Sequence, residues 1–420
     1  MRCTISSISW RRRLARNLTP RRYKQMQSSD GKTRDLITSR PGAGWDHNMN
    51  RHVYHDLEAK HGPHYTVYNR RFMCVYMDDL PTDEGYWLLR QKAACLHTGE
   101  WPIEFRGPDA AKLMDLLFVN NCAKVRPGRC GYGIACFDDG GLLVDGVFLR
   151  LAEDRFWYVQ ADGDFINWAR AHAKDMDVTI TGTDVNVSQI QGPNAMAILE
   201  AAAAGGMPQP FGYFGAAQVD FGGQKVWITR TGYTNELGWE FYTEPHHDPT
   251  ALWAHLEAAG AEHGLRLFGL DSMNIRRIEA GILNAGSDFD ETTTPFDVRL
   301  GRFVDFDKPE FIGKEALENA AREPRLHGLR VEGGEPRIGG SVRIGEQTVG
   351  RITAAAHSPF LQCGIGYALM QSAAHGPGTE VMVETRDGTF LPGQLNDLPF
   401  YDQNAEIPRG KKVDIPERPA

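Results

Sequence analysis

Three strand-like segments follow one another between residues 132 and 160, separated only by short turns. The first covers 132–137 and the second 142–151, and the Asp-Asp-Gly-Gly sequence at 138–141 lies between them. A second short turn, at 153–154, leads to the third segment at 156–160. Tight turns join antiparallel neighbours, whereas parallel strands need long crossover connections. The sequence therefore predicts an antiparallel sheet in this part of the chain.

Segments with helical spacing of apolar residues alternate with strand-like segments over most of the chain. Because the period switches repeatedly between 2 and 3.6, we predict an α+β fold. After residue 321, short strand-like segments separated by glycine turns predominate, which is typical of a small β-barrel. We therefore predict a basic, disordered leader and arm at 1–60, a domain of two interleaved lobes at 61–320, and a β-barrel domain at 321–420.

The charge balance is acidic, with 46 Lys and Arg against 54 Asp and Glu and a net charge of -8. Phosphate binding needs clustered basic residues, so we predict no nucleic-acid partner. No stretch approaches the ~18 apolar residues of a membrane span, so we predict no membrane partner. Seven scattered cysteines without a C-x-x-C pair indicate a reducing, cytoplasmic location. The first 29 residues hold eight basic and no acidic residues, so organelle targeting is the alternative to a disordered tail.

Common cofactor and metal fingerprints are missing from the sequence. No G-x-G-x-x-G follows a strand, and no P-loop sequence occurs, so neither a dinucleotide nor a P-loop nucleotide site is supported. The pairs His52-x-x-His55 and His246-His247 have no second pair at metal-ligand spacing. We therefore predict no metal site.

Two carboxylates interrupt apolar strand-like segments. Asp145 lies in Leu-Leu-Val-Asp-Gly-Val-Phe, and Glu240 alternates with the aromatic residues Trp239, Phe241 and Tyr242. A half-buried acid loses hydration and needs a partner or a function. A carboxylate among aromatic rings suits a flat heterocycle with adjacent N–H donors, which it can bind through two parallel hydrogen bonds. The alternative for both residues is an acid on a solvated strand face.

These segments belong to a longer series of short strings that resembles a known family. Their order and spacing, from about Thr66 to the C-terminus, are similar to those of the glycine-cleavage T-protein superfamily. The strings are Arg106-Gly-Pro-Asp-Ala110, Gly140-Gly141 through Asp145, Gln191-Gly-Pro193, Arg230-x-Gly-Tyr-Thr with Gly238-Trp-Glu240, Arg277-Ile-Glu-Ala-Gly281, Thr294-Pro295, Phe311-Ile-Gly-Lys314 and Leu398-Pro-Phe400.

The resemblance implies a three-lobed cloverleaf of antiparallel sheets and helices around a central channel that binds the cofactor tetrahydrofolate, with a C-terminal β-barrel. It places Asp145 at the position of the catalytic aspartate and Glu240 at that of the acid paired with the pterin ring. Tyr132, Tyr233 and Tyr242 take aromatic positions of the folate site. Three further residues are predicted to face the substrate: Tyr68, His97 and Glu100.

The branch of the superfamily is indicated by departures from the aminomethyltransferase pattern. The chain has Val144-Asp145 where aminomethyltransferases usually have Asp-Asp, and Met273 stands near the place of a helix arginine. Segments around Pro127-Gly-Arg-Cys-Gly-Tyr132 are similar to dimethylsulfoniopropionate demethylases, and Asp145-Gly146 is similar to aromatic O-demethylases. We therefore predict an enzyme that moves a methyl group from a small S-, O- or N-methyl donor to tetrahydrofolate. The alternatives are an aminomethyltransferase served by a carrier protein and a non-catalytic folate-binding module.

Overall fold

The computed structural model describes residues 49–419. Residues 1–48 of the predicted basic leader lie outside the described residues. The prediction of a disordered arm is wrong for 49–60, because Tyr54 is fully buried and its hydroxyl bonds the Thr243 hydroxyl at 2.9 Å. An aromatic side chain in the core holds its backbone in place, so this segment is ordered. It continues into a short helix.

Helices and a small hairpin surround two larger sheets. The hairpin consists of β1 (Pro63–Tyr68) and β2 (Arg71–Met77), which pair antiparallel. Short 3-10 helices lie at Ala59–His61, Ala261–His263 and Gly301–Phe303. The α-helices of the described residues are α1 (His55–Glu58), α2 (Thr82–Gln91), α3 (Ala110–Leu117), α4 (Phe165–His172), α5 (Ala195–Ala202), α6 (Pro249–Gly260), α7 (Leu270–Glu279) and α8 (Lys314–Asn319).

The first sheet contains the predicted succession of three antiparallel strands. Its strand order is β5-β6-β7-β4-β8, and all neighbours are antiparallel. The strands are β4 (Trp101–Arg106), β5 (Arg129–Cys136), β6 (Leu142–Ala152), β7 (Arg155–Gln160) and β8 (Thr179–Gly182). In register, Ile134 lies opposite Asp145. One face of this sheet packs on α3 and α4 through residues such as Phe105, Phe148 and Phe165.

The second sheet has six strands in the order β10-β11-β12-β9-β3-β13. Only β13 runs parallel to its neighbour β3, and the other pairs are antiparallel. The strands are β3 (Ala93–His97), β9 (Asn186–Gln191), β10 (Ala216–Phe221), β11 (Gln224–Thr229), β12 (Gly238–Thr243) and β13 (Leu265–Leu267). Trp239 and Phe241 pack against Ile198 and Leu252 of α5 and α6. Each sheet therefore has one face that is covered by helices.

The uncovered faces of the two sheets meet each other. Leu149 and Trp157 of the first sheet form one apolar cluster with Val187 and Tyr242 of the second. Side chains alternate between the two faces of a strand, so every second residue of β6 and β12 points toward this contact. The facing surfaces are where the two predicted acids lie.

The C-terminal part is a closed barrel of six strands in the order β14-β17-β16-β15-β18-β19. Leu329, Val342, Val383 and Leu395 fill its interior. The strands are β14 (Leu326–Val331), β15 (Ser341–Ile344), β16 (Gln347–Ser358), β17 (Cys363–Met370), β18 (Glu380–Glu384) and β19 (Phe390–Asn396). The predicted α+β class with a C-terminal β-barrel is confirmed. Among the described helices, none combines the length and apolarity needed to cross a bilayer.

Candidate active site

Asp145 lies on the face of β6 that meets the second sheet. Its neighbours at alternate positions, Val147 and Leu149, belong to the apolar cluster between the sheets, whereas Val144 and Phe148 pack against helices. The Asp145 side chain is buried, and the Tyr132 hydroxyl donates a hydrogen bond to its Oδ2. Burial raises the pKa of Asp145 to about 6, although the bond from Tyr132 opposes this rise. The result is a carboxylate that still ionises at neutral pH.

Glu240 occupies the corresponding face of β12. Trp239 and Phe241 point into the helix-covered core, so alternation turns Glu240 and Tyr242 toward the first sheet. Three hydroxyls donate to its Oε2 atom: Thr231 at 2.6 Å, Tyr242 at 3.2 Å and Thr229 at 3.4 Å. No described residue donates a hydrogen bond to Oε1. Burial raises the pKa of Glu240, and these three hydroxyls oppose that rise.

The loop before β12 is shaped by a buried glutamine. Gln191 is fully buried, its amide nitrogen donates to the Thr231 carbonyl at 3.1 Å, and its amide oxygen accepts from the Thr234 hydroxyl at 2.9 Å. A Cβ at Gly232 or Gly238 would lie 2.2 or 2.4 Å from this side chain. Both positions therefore require glycine, and the close packing fixes the chain on either side of Thr231 and Glu240.

A third carboxylate, Glu100, reaches the same site from the loop after β3. The Thr98 hydroxyl donates to its Oε2 at 2.9 Å. Burial raises the pKa of Glu100 to about 8, and the negative charges of Glu240 and Asp145 add to this effect. Glu100 therefore lies within electrostatic range of both other acids. We call Glu100, Asp145 and Glu240 the three-carboxylate site.

Tyr68 and Tyr233 join this site from two further segments. Tyr68 packs directly on Gly99, where an added Cβ would lie 2.7 Å from the Tyr68 Cβ, so the ring borders Glu100. Burial raises the pKa of Tyr68, and the negative charge of Glu100 raises it further. The Tyr233 hydroxyl donates to the Leu283 carbonyl at 2.6 Å. Burial raises the pKa of Tyr233, and the negative charges of Asp145 and Glu100 add to this rise. The structure therefore brings together all but one of the residues predicted for the site.

His97 is the exception. It is buried on the opposite face of β3, where its Nδ1 bonds the Ser188 hydroxyl at 2.8 Å. Its ring packs on Tyr54 and Trp253 with centroid distances of 4.5 and 5.2 Å. Leu96, the preceding residue, lies on the other face of β3 and belongs to the same apolar cluster as Tyr233. The prediction that His97 faces the substrate is wrong in this structure, because strand alternation turns it into the helix-covered core.

The sequence reasoning missed several groups beside the three-carboxylate site. Thr231 makes the shortest hydrogen bond to Glu240. The Gln189 amide nitrogen donates to the Met273 sulfur at 3.4 Å, and its oxygen accepts from the Tyr233 backbone N–H at 3.4 Å. The alternation that located Glu240 could have located Gln189, which lies opposite it across β9 and β12.

Comparison with known proteins places these features in a family. Residues 84–308 match the GCVT N-terminal domain, and residues 325–402 match the glycine cleavage T-protein C-terminal barrel domain. The fold is that of an α+β protein with a C-terminal barrel, and the matched regions include Asp145 and Glu240. The chain belongs to the glycine cleavage T-protein family.

Relatives in this family carry more than one name. The chain is 35% identical over 323 residues to an aminomethyltransferase of Saccharopolyspora erythraea, covering 74% of this chain and 86% of that one. It is 36% identical to an aminomethyltransferase of Streptomyces coelicolor, covering 73% and 84% of the two chains. It is also 31% identical to a trimethylamine-oxide aldolase of Ruegeria pomeroyi over 376 residues, or 85% of this chain. The chain spans about half, 47%, of that relative's length.

A solved structure shares the fold. The glycine cleavage system aminomethyltransferase T from Bartonella henselae superimposes with a TM-score of 0.76. The match covers 84% of this chain and 99% of that chain at 24% identity. This similarity supports the arrangement of sheets and barrel described above.

Proposed function

We propose that the protein is a tetrahydrofolate-dependent one-carbon transferase that moves a methyl group from a small S-, O- or N-methyl donor to the folate. The observation that carries this proposal is the three-carboxylate site, in which Asp145 and Glu240 are buried between two sheets and Glu100 is partly buried. Within residues 49–419, no Lys or Arg side chain forms an ion pair with Glu100, Asp145 or Glu240. Acids held at such an energetic cost are expected at sites of binding and catalysis.

The residues around Glu240 fit the pterin ring of a folate. A pterin presents adjacent N–H donors along one edge, and a carboxylate can accept from such a pair. The three hydroxyls on Oε2 hold the Glu240 carboxylate in one orientation, and Oε1 has no donor among the described residues. Tyr242 and Tyr132 supply aromatic surface on the two facing sheets. Glu240 would therefore hold the ring and fix its direction.

Asp145 is suited to the chemical step. Bound tetrahydrofolate supplies a secondary amine nitrogen that accepts the one-carbon group. The Asp145 carboxylate would orient that N–H, stabilise the positive charge that develops there, and take up the proton. The Tyr132 hydroxyl holds the carboxylate, so orientation is established before the reaction. The proton can be accepted only when Asp145 is ionised.

The proposal that the transferred group is a methyl group rests on Met273 and on the name of one relative. Met273 lies near the place of an arginine in aminomethyltransferases, and here its sulfur accepts a hydrogen bond from Gln189. The name trimethylamine-oxide aldolase, borne by one relative, is consistent with an N-methylated donor. The second candidate is aminomethyl transfer from a carrier protein, which the names of the aminomethyltransferase relatives favour. A non-catalytic folate-binding module is less well supported, since binding alone does not require Asp145.

Mass spectrometry of tetrahydrofolate after incubation with the protein tests this proposal. The donors are dimethylsulfoniopropionate, methoxybenzoates and N-methylated glycines, and an aminomethyl-loaded carrier protein is used in a separate reaction. We expect 5-methyl-tetrahydrofolate with one small donor and none with Asp145→Asn. Methylene-tetrahydrofolate formed only with the carrier protein would favour the second candidate. Folate binding without any product would favour the binding module.

A further inference from the structure

The loop between β11 and β12, residues 230–237, holds part of the candidate site and is here called the site loop. Its Thr231 hydroxyl donates to Glu240 Oε2 at 2.6 Å. Its Tyr233 backbone N–H donates to the Gln189 amide oxygen at 3.4 Å. The direction of the Glu240 carboxylate therefore depends on the conformation of this loop.

The site loop also contacts residues 402–410, which follow the barrel and are here called the C-terminal segment. The Asn235 amide nitrogen donates to Asp402 Oδ2 at 3.2 Å. The Arg230 Nη2 donates to the Pro408 carbonyl at 3.0 Å. Two hydrogen bonds therefore join the C-terminal segment to the beginning and to the later part of the site loop.

The Asp402 carboxylate serves both segments at once. Its Oδ1 accepts from the Glu406 backbone N–H at 2.8 Å, and its Oδ2 accepts from the Ile407 backbone N–H at 3.0 Å. Ile407 is buried, so the turn that these bonds close is packed against the protein. The bond from Asn235 reaches the same Oδ2 atom. One carboxylate thus shapes the C-terminal segment and links it to the site loop.

Arg230 ties the docking of the C-terminal segment to the residues that hold Glu240. Its side chain is buried, no described carboxylate forms an ion pair with it, and it donates to two backbone carbonyls, one of them that of Pro408. Without the C-terminal segment, Nη2 would lose its acceptor, which is costly for a buried charged group. The residues on either side of Arg230, Thr229 and Thr231, both donate to Glu240.

We propose that the C-terminal segment is a positioning element, which holds Arg230 and Asn235 so that Thr231 stays aligned on Glu240. This inference rests on the proposed function and adds that folate affinity depends on docking of the C-terminal segment. Asp402 and Asn235 are positioning residues, because they act on the folate through the site loop. Coupling between two binding events is reciprocal, so tetrahydrofolate also favours docking of the segment by the same factor.

Calorimetric titration of tetrahydrofolate into full-length variants tests the link. Asn235 has a φ of 55°, which aspartate tolerates, so Asn235→Asp keeps the backbone and places two carboxylates where the hydrogen bond was. We expect its Kd to rise about 3- to 10-fold. Adding Asp402→Asn restores a donor and an acceptor in reversed order and should bring the Kd back toward the wild-type value. The control Gln371→Glu changes an exposed amide to an acid just after β17 and should leave the Kd unchanged.

Hydrogen exchange followed by mass spectrometry tests the reciprocal effect. The amides of Glu406, Ile407 and Gly410 form hydrogen bonds within the C-terminal segment. Saturating tetrahydrofolate should slow their exchange by the same factor of about 3 to 10. The slowing should be smaller in Asn235→Asp. The Thr389 amide, which donates to Asp387 in a barrel turn, should exchange at the same rate with and without tetrahydrofolate.

The outcomes separate this inference from the proposed function. Tetrahydrofolate binding to the wild-type protein is measured first, and absence of binding would contradict the proposed function. Saturable binding with equal Kd values for wild type and Asn235→Asp, or with unchanged exchange in the C-terminal segment, would overturn the inference alone. A raised Kd that Asp402→Asn does not lower would likewise overturn the link. Should Asn235→Asp fail to fold, as judged by circular dichroism, the exchange measurement on the wild-type protein still decides.

Discussion

Two groups of acids in this chain differ in how their charge is balanced. The first is the three-carboxylate site. The second, here called the arginine–glutamate junction, contains Arg90, Glu236, Arg276 and Glu279, all of them buried. The Glu236 Oε1 lies 3.0 Å from Arg90 Nε and 2.7 Å from Arg276 Nε. The Glu279 Oε2 lies 3.5 and 3.6 Å from the two Nη1 atoms.

The junction also joins separate parts of the fold. Glu279 on α7 accepts hydrogen bonds from Tyr86 of α2 at 2.8 Å and from Ser358 of the barrel at 2.6 Å. The Tyr401 ring lies over both guanidinium groups, 4.9 and 5.4 Å from their central carbons. Each acid here contacts two arginines, and Glu279 has neutral donors as well. This balance is typical of a group that holds domains together.

The difference separates structural acids from functional ones. In the junction, burial raises the pKa of Glu236 and two arginines oppose that rise, so removing an arginine leaves an uncompensated charge. A buried carboxylate without one is held at a cost in stability, and its pKa rises. Asp145 and Glu100 follow the second pattern. Neutralising an acid should therefore have opposite consequences in the two groups.

The largest expected effect is on stability, from breaking the junction. Arg276→Met leaves Glu236 and Glu279 with Arg90 alone, which should lower the free energy of unfolding by about 3–5 kcal/mol. Urea denaturation followed by circular dichroism measures this loss. The matched control is Arg418→Met, which removes an exposed pair with Glu84 and should cost less than about 1 kcal/mol. Equal losses for the two variants would contradict the role given to the junction.

Asp145→Asn should lower activity without lowering stability. We expect turnover to fall by about 10²–10³-fold, because the amide neither takes up the proton nor carries a negative charge. Stability at neutral pH should stay the same or rise, since the raised pKa of Asp145 means that its ionised form is disfavoured in the folded state. Steady-state kinetics and thermal denaturation of one preparation measure both quantities. Near-normal turnover in the folded variant would exclude Asp145 as the catalytic base.

The pH dependence of activity should show a smaller, graded effect. A proton acceptor works only when ionised, and the pKa of Asp145 is raised to about 6. The value of kcat/KM should therefore increase roughly tenfold per pH unit below about pH 6 and level off above it. A flat profile between about pH 5 and pH 7 would show that Asp145 does not take up the proton in the limiting step.

The sequence predicted the parts of the site that depend on local patterns. Asp145 and Glu240 stand out as acids within apolar strands, the resemblance to the T-protein superfamily implies their roles, and both side chains are buried in the structure. Alternation did not decide the face of His97, because the strand Ala-Ala-Cys-Leu-His is buried on both sides. In such a strand, the pattern of apolar residues carries no information about which face meets the site.

Other features depend on contacts between distant segments. The packing of Tyr68 on Gly99 joins the hairpin to the loop after β3, and no local pattern predicts it. The arginine–glutamate junction likewise joins α2, the loop before β12, α7 and the barrel. The sequence around Arg276 predicts a helix end with a glycine stop, which is correct for the backbone but not informative about four buried charges.

Calorimetric titration of tetrahydrofolate into the wild-type protein and Glu240→Gln tests the central claim most directly. A hydrogen bond to a charged group contributes about 1.5–3 kcal/mol, so the Kd should rise about 10- to 100-fold in the variant. The exposed control Glu380→Gln should bind with the wild-type Kd. The account predicts saturable binding that depends on Glu240. Absence of binding, or equal Kd values for wild type and Glu240→Gln, would contradict a folate site between the two sheets.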